Sequence, residues 1–257
     1  MNTTSDIEYF AGHFHDRAAL GEELHQRGFT VDAKIVVSTA LDALGEIWLH
    51  DFPADRAALE KELGGTISPA LRMARLVRLF AAGAPHHAKV AVFLFAEDWA
   101  THVPAAAADA EVLLAPRRPQ MRGQLPHAHM DVSAQEVMRE CPAISGNPML
   151  QAILEEYEYP ALFYRFVRSA LVHHGTGARR THGFTRGDEV FYLPVERGTT
   201  IGFGIGVAAG WLRAAVDGYV ALCTQENVRP ATDMDSGAEG EDRLRARWQR
   251  IAAGGRR

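Results

Sequence analysis

Cysteine is scarce. Cys141 and Cys223 are the only two in 257 residues, too few for the disulfide framework on which small extracellular folds depend. A basic surplus is also missing: 27 lysines and arginines face 32 aspartates and glutamates, a formal net charge of −5. That balance excludes bulk electrostatic coating of nucleic acid and confines any RNA contact to a local patch. Long uninterrupted apolar runs are absent too. The most apolar late stretch, Ile201–Cys223, is broken by Arg213 and Asp217, which argues against a membrane span. The opening residues, MNTTSDIEYF, show no basic segment leading into an apolar one, so no secretory leader is expected and a reducing cytoplasm is the simplest setting. No internal repeat is visible. What is present is an ordinary globular balance, 47% apolar and 23% charged, sufficient for a sizeable core.

Helical spacing dominates the chain. A polar start, residues 1–28, leads into a short helix over Arg17–Arg27. Thr30–Phe52 repeats Val37, Leu41, Leu44 and Trp48 at four, three and four, with Ala33 and Ala40 widening the face. Pro53 stops that helix and opens another through Leu63. Ser68-Pro69 is an N-cap followed by proline in the first turn. The helix it starts turns Met73, Leu76, Val77 and Phe80 inward and sets Arg72, Arg75 and Arg78 along a basic edge.

The run AVFLF within His86–Ala96 has no clear period and reads as helix rather than strand. Further helices are expected over Pro104–Ala115, Ser133–Cys141 and Met149–Tyr157, with a loop through Pro116–Asp131. A small hairpin, Glu189–Pro194 with Thr200–Phe203, precedes a last amphipathic helix, Gly206–Asn227. These elements predict a mainly α fold, an antiparallel helical bundle with a small late β-hairpin. The expected division is an N-terminal helical extension (1–28), a helical domain (29–228) and a polar tail with a short basic helix (229–257).

The chain is organised around Pro160–Gly175, PALFYRFVRSALVHHG. At roughly 100° per residue, Phe163, Phe166, Val167, Ala170 and Leu171 share one apolar arc, with Tyr164 at its edge. Arg165, Arg168, Ser169 and His173 fall on the opposite arc. Pro160 suits the first turn and Gly175 a left-handed C-cap.

Arg168-Ser-Ala-Leu-Val-His173 is an Arg-x4-His, preceded by aromatics and followed by His174-Gly175. In this setting it resembles the signature helix of the HEPN superfamily, whose motif is Arg-x(4–6)-His. The recognisable sequence spans only Tyr164–Gly175. The chain departs from the family in carrying Ser169 where an Asn, Asp or His often follows the arginine. The resemblance implies a HEPN-like helical bundle that pairs two copies across a cleft and cleaves RNA without a metal. His173 would then be general acid/base and Arg168 the phosphate-stabilising group, with Arg165, Ser169, His174, Arg179 and Arg180 binding substrate. It also implies a homodimer, RNA as partner, and a toxin–antitoxin, defence or RNA-processing setting with an antitoxin or other partner protein. Many HEPN-like domains bind RNA, nucleotide or a partner protein without cleaving, so a non-catalytic module is the rival reading. On an ideal wheel His173 lies beside Ser169 and Arg165, whereas His174 turns toward the apolar arc.

Other motifs are weaker. His127-Ala-His129-Met-Asp131 has the H-x-H spacing of some metal sites, but side chains at i and i+2 face together only on a strand, and no strand is evident there. No metal is expected. Gly202-Phe-Gly204-Ile-Gly206 imitates a dinucleotide fingerprint without the parallel strand that must follow it, so no cofactor is expected either. The glycines instead suit a tight strand-to-helix turn and close packing. Two loop groups are basic: Arg117, Arg118 and Arg122, then Arg179, Arg180, His182 and Arg186. The second follows the signature helix directly, within reach of a cleft at its end.

Overall fold

The computed structural model describes residues 3–121, 125–174, 176–183, 185, 187–196 and 198–231. The fold is mainly helical with one two-stranded antiparallel sheet. Helices α1 (Thr3–Gln26), α2 (Thr30–Asp51), α3 (Pro53–Leu63) and α4 (Pro69–Phe80) come first. Then follow α5 (Val92–His102), α6 (Ala107–Leu114), α7 (Ala134–Glu140), α8 (Pro142–Ser145) and α9 (Pro148–Glu155). The signature helix runs as α10 (Tyr159–Phe163), a π-helical stretch (Tyr164–Ser169) and α11 (Ala170–His174). Strands β1 (Val190–Val195) and β2 (Gly198–Phe203) precede α12 (Ile205–Glu226).

Local signals fixed many of these boundaries. The Ser68 hydroxyl accepts from Leu71 N–H, Asn147 Oδ1 accepts from Met149 and Leu150 N–H, and Ser133 with Glu136 closes a reciprocal capping box. The hairpin registers Val190 opposite Phe203 and Val195 opposite Gly198.

Helix α1 begins far earlier than the expected Arg17 and is no appendage. Phe10, Phe14 and Ala18, spaced four apart, are buried in the same core as α2 and α12. That stripe is narrow and the residues between its members are polar, which hid it in the sequence. Residues 1–28 therefore belong to the main body, apart from 1–2, which with residues 232–257 of the expected tail lie outside the described residues.

Two cores form. The larger gathers α1, α2, α4, the signature helix, the hairpin and α12, with Leu41, Leu44, Trp211 and Tyr219 buried inside it. Each large apolar side chain buried there contributes ~1.5–3 kcal/mol. The smaller gathers Phe95, Trp99, Leu113, Val137, Ile144 and Leu154 from α5 to α9. Helix α5 is the shared wall, sending Phe93 and Leu94 to the first core and Val92, Phe95 and Ala96 to the second. A helix buried on all sides has no polar face to mark its period, which explains the ambiguous AVFLF run. Helix α12 is long and apolar enough to cross a membrane by length and composition, with half of that apolar window buried in the protein. Two of its three charged residues are ion-paired, Arg213 with Glu22 and Asp217 with His15.

Asp131 joins these parts. Its carboxylate is buried and accepts hydrogen bonds from Tyr159 Oη at 2.5 Å, from Tyr192 Oη and from Val92 N–H at 2.9 Å. One side chain thus ties the starts of the signature helix and α5 to the middle of β1. Lys89 Nζ donates to the carbonyls of Ala128 and Asp131, and Arg117 Nε to that of Met130, pinning the segment that carries it. Arg117 is only 3% exposed and also pairs with Glu140, so the expected surface loop is anchored by a buried arginine.

Burial pushes the Asp131 carboxyl up to about 6, against the opposing pull of the two tyrosine hydroxyls. A folded-state value above the unfolded one means the native state binds the proton more tightly. That contribution is fully present below about pH 4 and is lost as pH rises through 6. Each pH unit of displacement is worth ~1.4 kcal/mol, so the difference is about 3 kcal/mol. Asp131→Ala should cost about 3 kcal/mol or more in urea unfolding at neutral pH, because two hydroxyls and one N–H lose their acceptor. Titrating unfolding stability from pH 4 to pH 7 should show the variant lacking a component of wild-type pH dependence centred near pH 5.

Candidate functional site

The π-helical stretch changes the geometry of the Arg-x4-His motif. Hydrogen bonds there close five residues on instead of four, so residues beyond it turn away from their ideal-wheel positions. The apolar arc survives, with Phe163, Val167, Ala170 and Leu171 buried. The polar arc divides. Arg165 pairs with Glu156 at the end of α9, whereas Arg168 reaches α2, where its Nη2 lies 2.7 Å from Asp42 Oδ2. The Arg168 guanidinium also sits over the Tyr164 ring, 5.2 Å from its centroid.

Asp42 serves a second arginine. Arg72 of α4 donates to Asp42 Oδ1 at 2.7 Å and pairs with Glu46 one turn further along α2. Gly45 makes room for this: a Cβ there would lie 3.2 Å from Arg72 Cγ. The result is a compact group of two guanidiniums, two carboxylates and the Tyr164 phenol. Burial raises the Tyr164 pKa, and the Asp42 charge adds to the rise.

The expected basic edge of α4 is therefore an ion-paired seam rather than a free cationic surface. Arg75 bonds Glu62 and Glu155, and Arg78 bonds Glu155 and Glu158. Burial pushes the Glu158 carboxyl up despite Arg78 beside it.

His173 is exposed near the end of α11, and Ser169 is half-buried. His174 ends the described helix, but its side chain lies outside the described residues, as do Gly175, Arg122 and Arg186. The following loop folds back on the helix through Ala178 N–H to the Phe166 carbonyl at 3.1 Å. Arg179 is exposed with no ion pair among the described residues. Arg180 pairs with Asp98 and Glu97 of α5, and Tyr157 also donates to Asp98 at 2.5 Å. His182 is turned inward, 3.1 Å through Nε2 from the Phe191 carbonyl oxygen, and burial lowers its pKa.

The arrangement thus gathers Arg168, Tyr164, Asp42 and Arg72 on one side of the helix and Arg165, Arg180 and Tyr157 on another. The sequence reading missed Asp42, which reads on α2 as an ordinary polar position. The signal available was the rarity of an acid among the alanines and leucines of that face.

His127 and His129 do come together, their rings stacked at 6.0 Å. Among the described residues, however, no three His, Cys, Asp or Glu side chains gather as metal ligands. The glycine-rich stretch crosses from the antiparallel β2 into α12, and no parallel strand follows among the described residues. Its close approaches are to the preceding loop: a Cβ on Gly202 would meet His182, and one on Gly206 would meet Asp188. The chain matches no family model, no curated protein and no solved structure.

Asp42→Ala should cost about 3–5 kcal/mol in chemical denaturation, because two largely buried guanidiniums lose their shared carboxylate. Arg168→Met should cost less than half as much, since Arg72 and Glu46 still neutralise Asp42. Equal losses in the two variants would show that Arg168 alone depends on that carboxylate.

Proposed function

We propose that the chain is a HEPN-like metal-independent endoribonuclease working as a homodimer, with Arg168 and His173 as its catalytic pair. The observation that carries the reading is the state of Arg168. Asp42 is the only acceptor that the described residues offer its guanidinium, and the side chain remains 20% exposed. A guanidinium has five N–H donors in a planar fork. One carboxylate and one aromatic face orient it without consuming that fork, leaving donors for a phosphate. His173 is exposed on the same helix, one turn and a half further along. The π-helical stretch between Tyr164 and Ser169 is of the kind that recurs at functional sites.

RNA cleavage of this type proceeds by attack of a ribose 2′-oxygen on the adjacent phosphorus, with departure of the 5′-oxygen. It requires a base, an acid and positive charge at the phosphorane-like transition state. An imidazole can serve as base when neutral and as acid when protonated. Arg168 would bind the non-bridging oxygens as their charge grows. One histidine per chain supplies one of the two proton transfers, so a second copy would supply the other across a cleft. Arg179 would add a phosphate contact. Cytoplasmic RNA, within a defence, toxin–antitoxin or processing system, fits this chemistry.

A second reading is favoured by the ion pairs. Arg165, Arg168 and Arg180 are each already matched to a carboxylate, so the face carries little net positive charge. A non-catalytic HEPN-like module binding RNA, nucleotide or a partner protein would need no more.

Incubation of the purified protein with RNA in EDTA separates the two. Cleavage should persist under chelation, fall ~10²–10⁴-fold in His173→Ala and fall ~10²–10³-fold in Arg168→Ala. Mixing the two inactive variants should restore part of the activity if each site draws on both copies. Saturable RNA binding with intact RNA recovered would establish the non-catalytic module instead.

A further inference from the structure

A cavity of about 240 Å³ opens between the start of α2, the apolar arc of the signature helix and the loop that follows it. Phe166, Val167 and Leu171 form its apolar walls, and Lys34, Thr181 and His182 supply its polar groups. The residues differ from those around Arg168, so the cavity stands independently of the nuclease reading.

Lys34 is the anomaly. It occupies the second turn of α2, is only 7% exposed, and lines this open volume. Its amine has no hydrogen bond or ion pair among the described residues. Burying an ammonium without a counter-charge costs several kcal/mol, and burial accordingly lowers the Lys34 pKa. His182 lines the same space, and its own pKa is lowered by burial first and further by the Lys34 charge.

The cavity wall also includes Thr30 and Val31. Their N–H groups precede the first closing bond of α2, from Ala33 N–H to the Phe29 carbonyl, so the positive end of a 22-residue helix borders the same space. A buried Lys34 amine with no ion pair among the described residues, beside a helix start, favours an anion in this space.

We propose that this cavity binds a small organic carboxylate, its anionic group on Lys34 Nζ and its hydrocarbon body against Phe166, Val167 and Leu171. The volume lies below the roughly 300 Å³ at which drug-sized pockets begin, so the ligand is short. A phosphate would need several donors around its oxygens, whereas a single ammonium beside apolar walls suits a monoanion with a greasy body.

Titration calorimetry of the full chain with hexanoate tests this, with inorganic phosphate as comparator. Hexanoate should bind saturably at one site, and phosphate should bind at least tenfold more weakly. Lys34→Met, which keeps the length and apolar stem, should weaken hexanoate at least tenfold while retaining helical circular dichroism. Val31→Trp, made at an exposed position on the rim, should block entry by bulk with Lys34 intact, and it decides the matter if Lys34→Met does not fold. Absence of hexanoate binding to the wild type overturns the proposal. So does phosphate binding as tight as hexanoate, or undiminished hexanoate binding in a folded Lys34→Met or in Val31→Trp.

Discussion

A single buried carboxylate ties three elements of the fold to one point. Asp131 receives Tyr159, Tyr192 and the first backbone N–H of α5. Backbone bonds from Tyr159 N–H to the Lys89 carbonyl and from Ala91 N–H to the Tyr157 carbonyl, and Thr199 N–H to the Glu97 carboxylate, join the same parts, whereas the apolar contacts between them attract without fixing orientation. Hydrogen bonds to a charged acceptor are directional and roughly twice as strong as neutral ones. Burial first, then the Asp131 charge and its hydrogen bonds, raise both phenol pKa values strongly, so the group enters the neutral range as one carboxylate and two intact hydroxyls. This point positions the Arg168 helix relative to the hairpin together with the edge contact of the Phe163 and Phe203 rings.

The arginines follow a second rule: among the described residues most are paired with carboxylates. Arg72, Arg75, Arg78 and Arg117 are drawn into the fold, and each meets an acid there. Arginine suits such seams because its fork stays charged and accepts two partners at once. A phosphate contact at Arg168 must therefore work beside Asp42, as an added ligand on a partly occupied fork. In the proposed chemistry the carboxylate keeps the guanidinium aimed, at the cost of attraction for RNA at a distance.

The sequence was most legible where the governing interaction is local. Ser68, Ser133 and Asn147 announce helix starts because a cap bonds residues two or three positions away. The α2 face was readable because its apolar residues lie on one side. The AVFLF run was not, because apolar partners surround it. Asp131 was illegible for a different reason: its partners come from 28, 39 and 61 residues away, and no short-range pattern marks such a convergence. Arg117 looked like loop charge because surrounding prolines suggest exposure, whereas its stem and fork are covered by Leu113, Met130 and Glu140. The division of Arg165 from Arg168 escaped the wheel because a wheel assumes 3.6 residues per turn throughout. The π-helical stretch breaks that assumption at the very residues of interest.

Helix α5 has one last implication. A wall that belongs to two rooms cannot be removed from either alone. Loosening the smaller cluster around Trp99 would bare the back of Phe93 and Leu94, and loosening the larger would bare Val92 and Phe95. Neither half has an independent boundary at which disorder could stop, so the body should melt in one cooperative step rather than room by room.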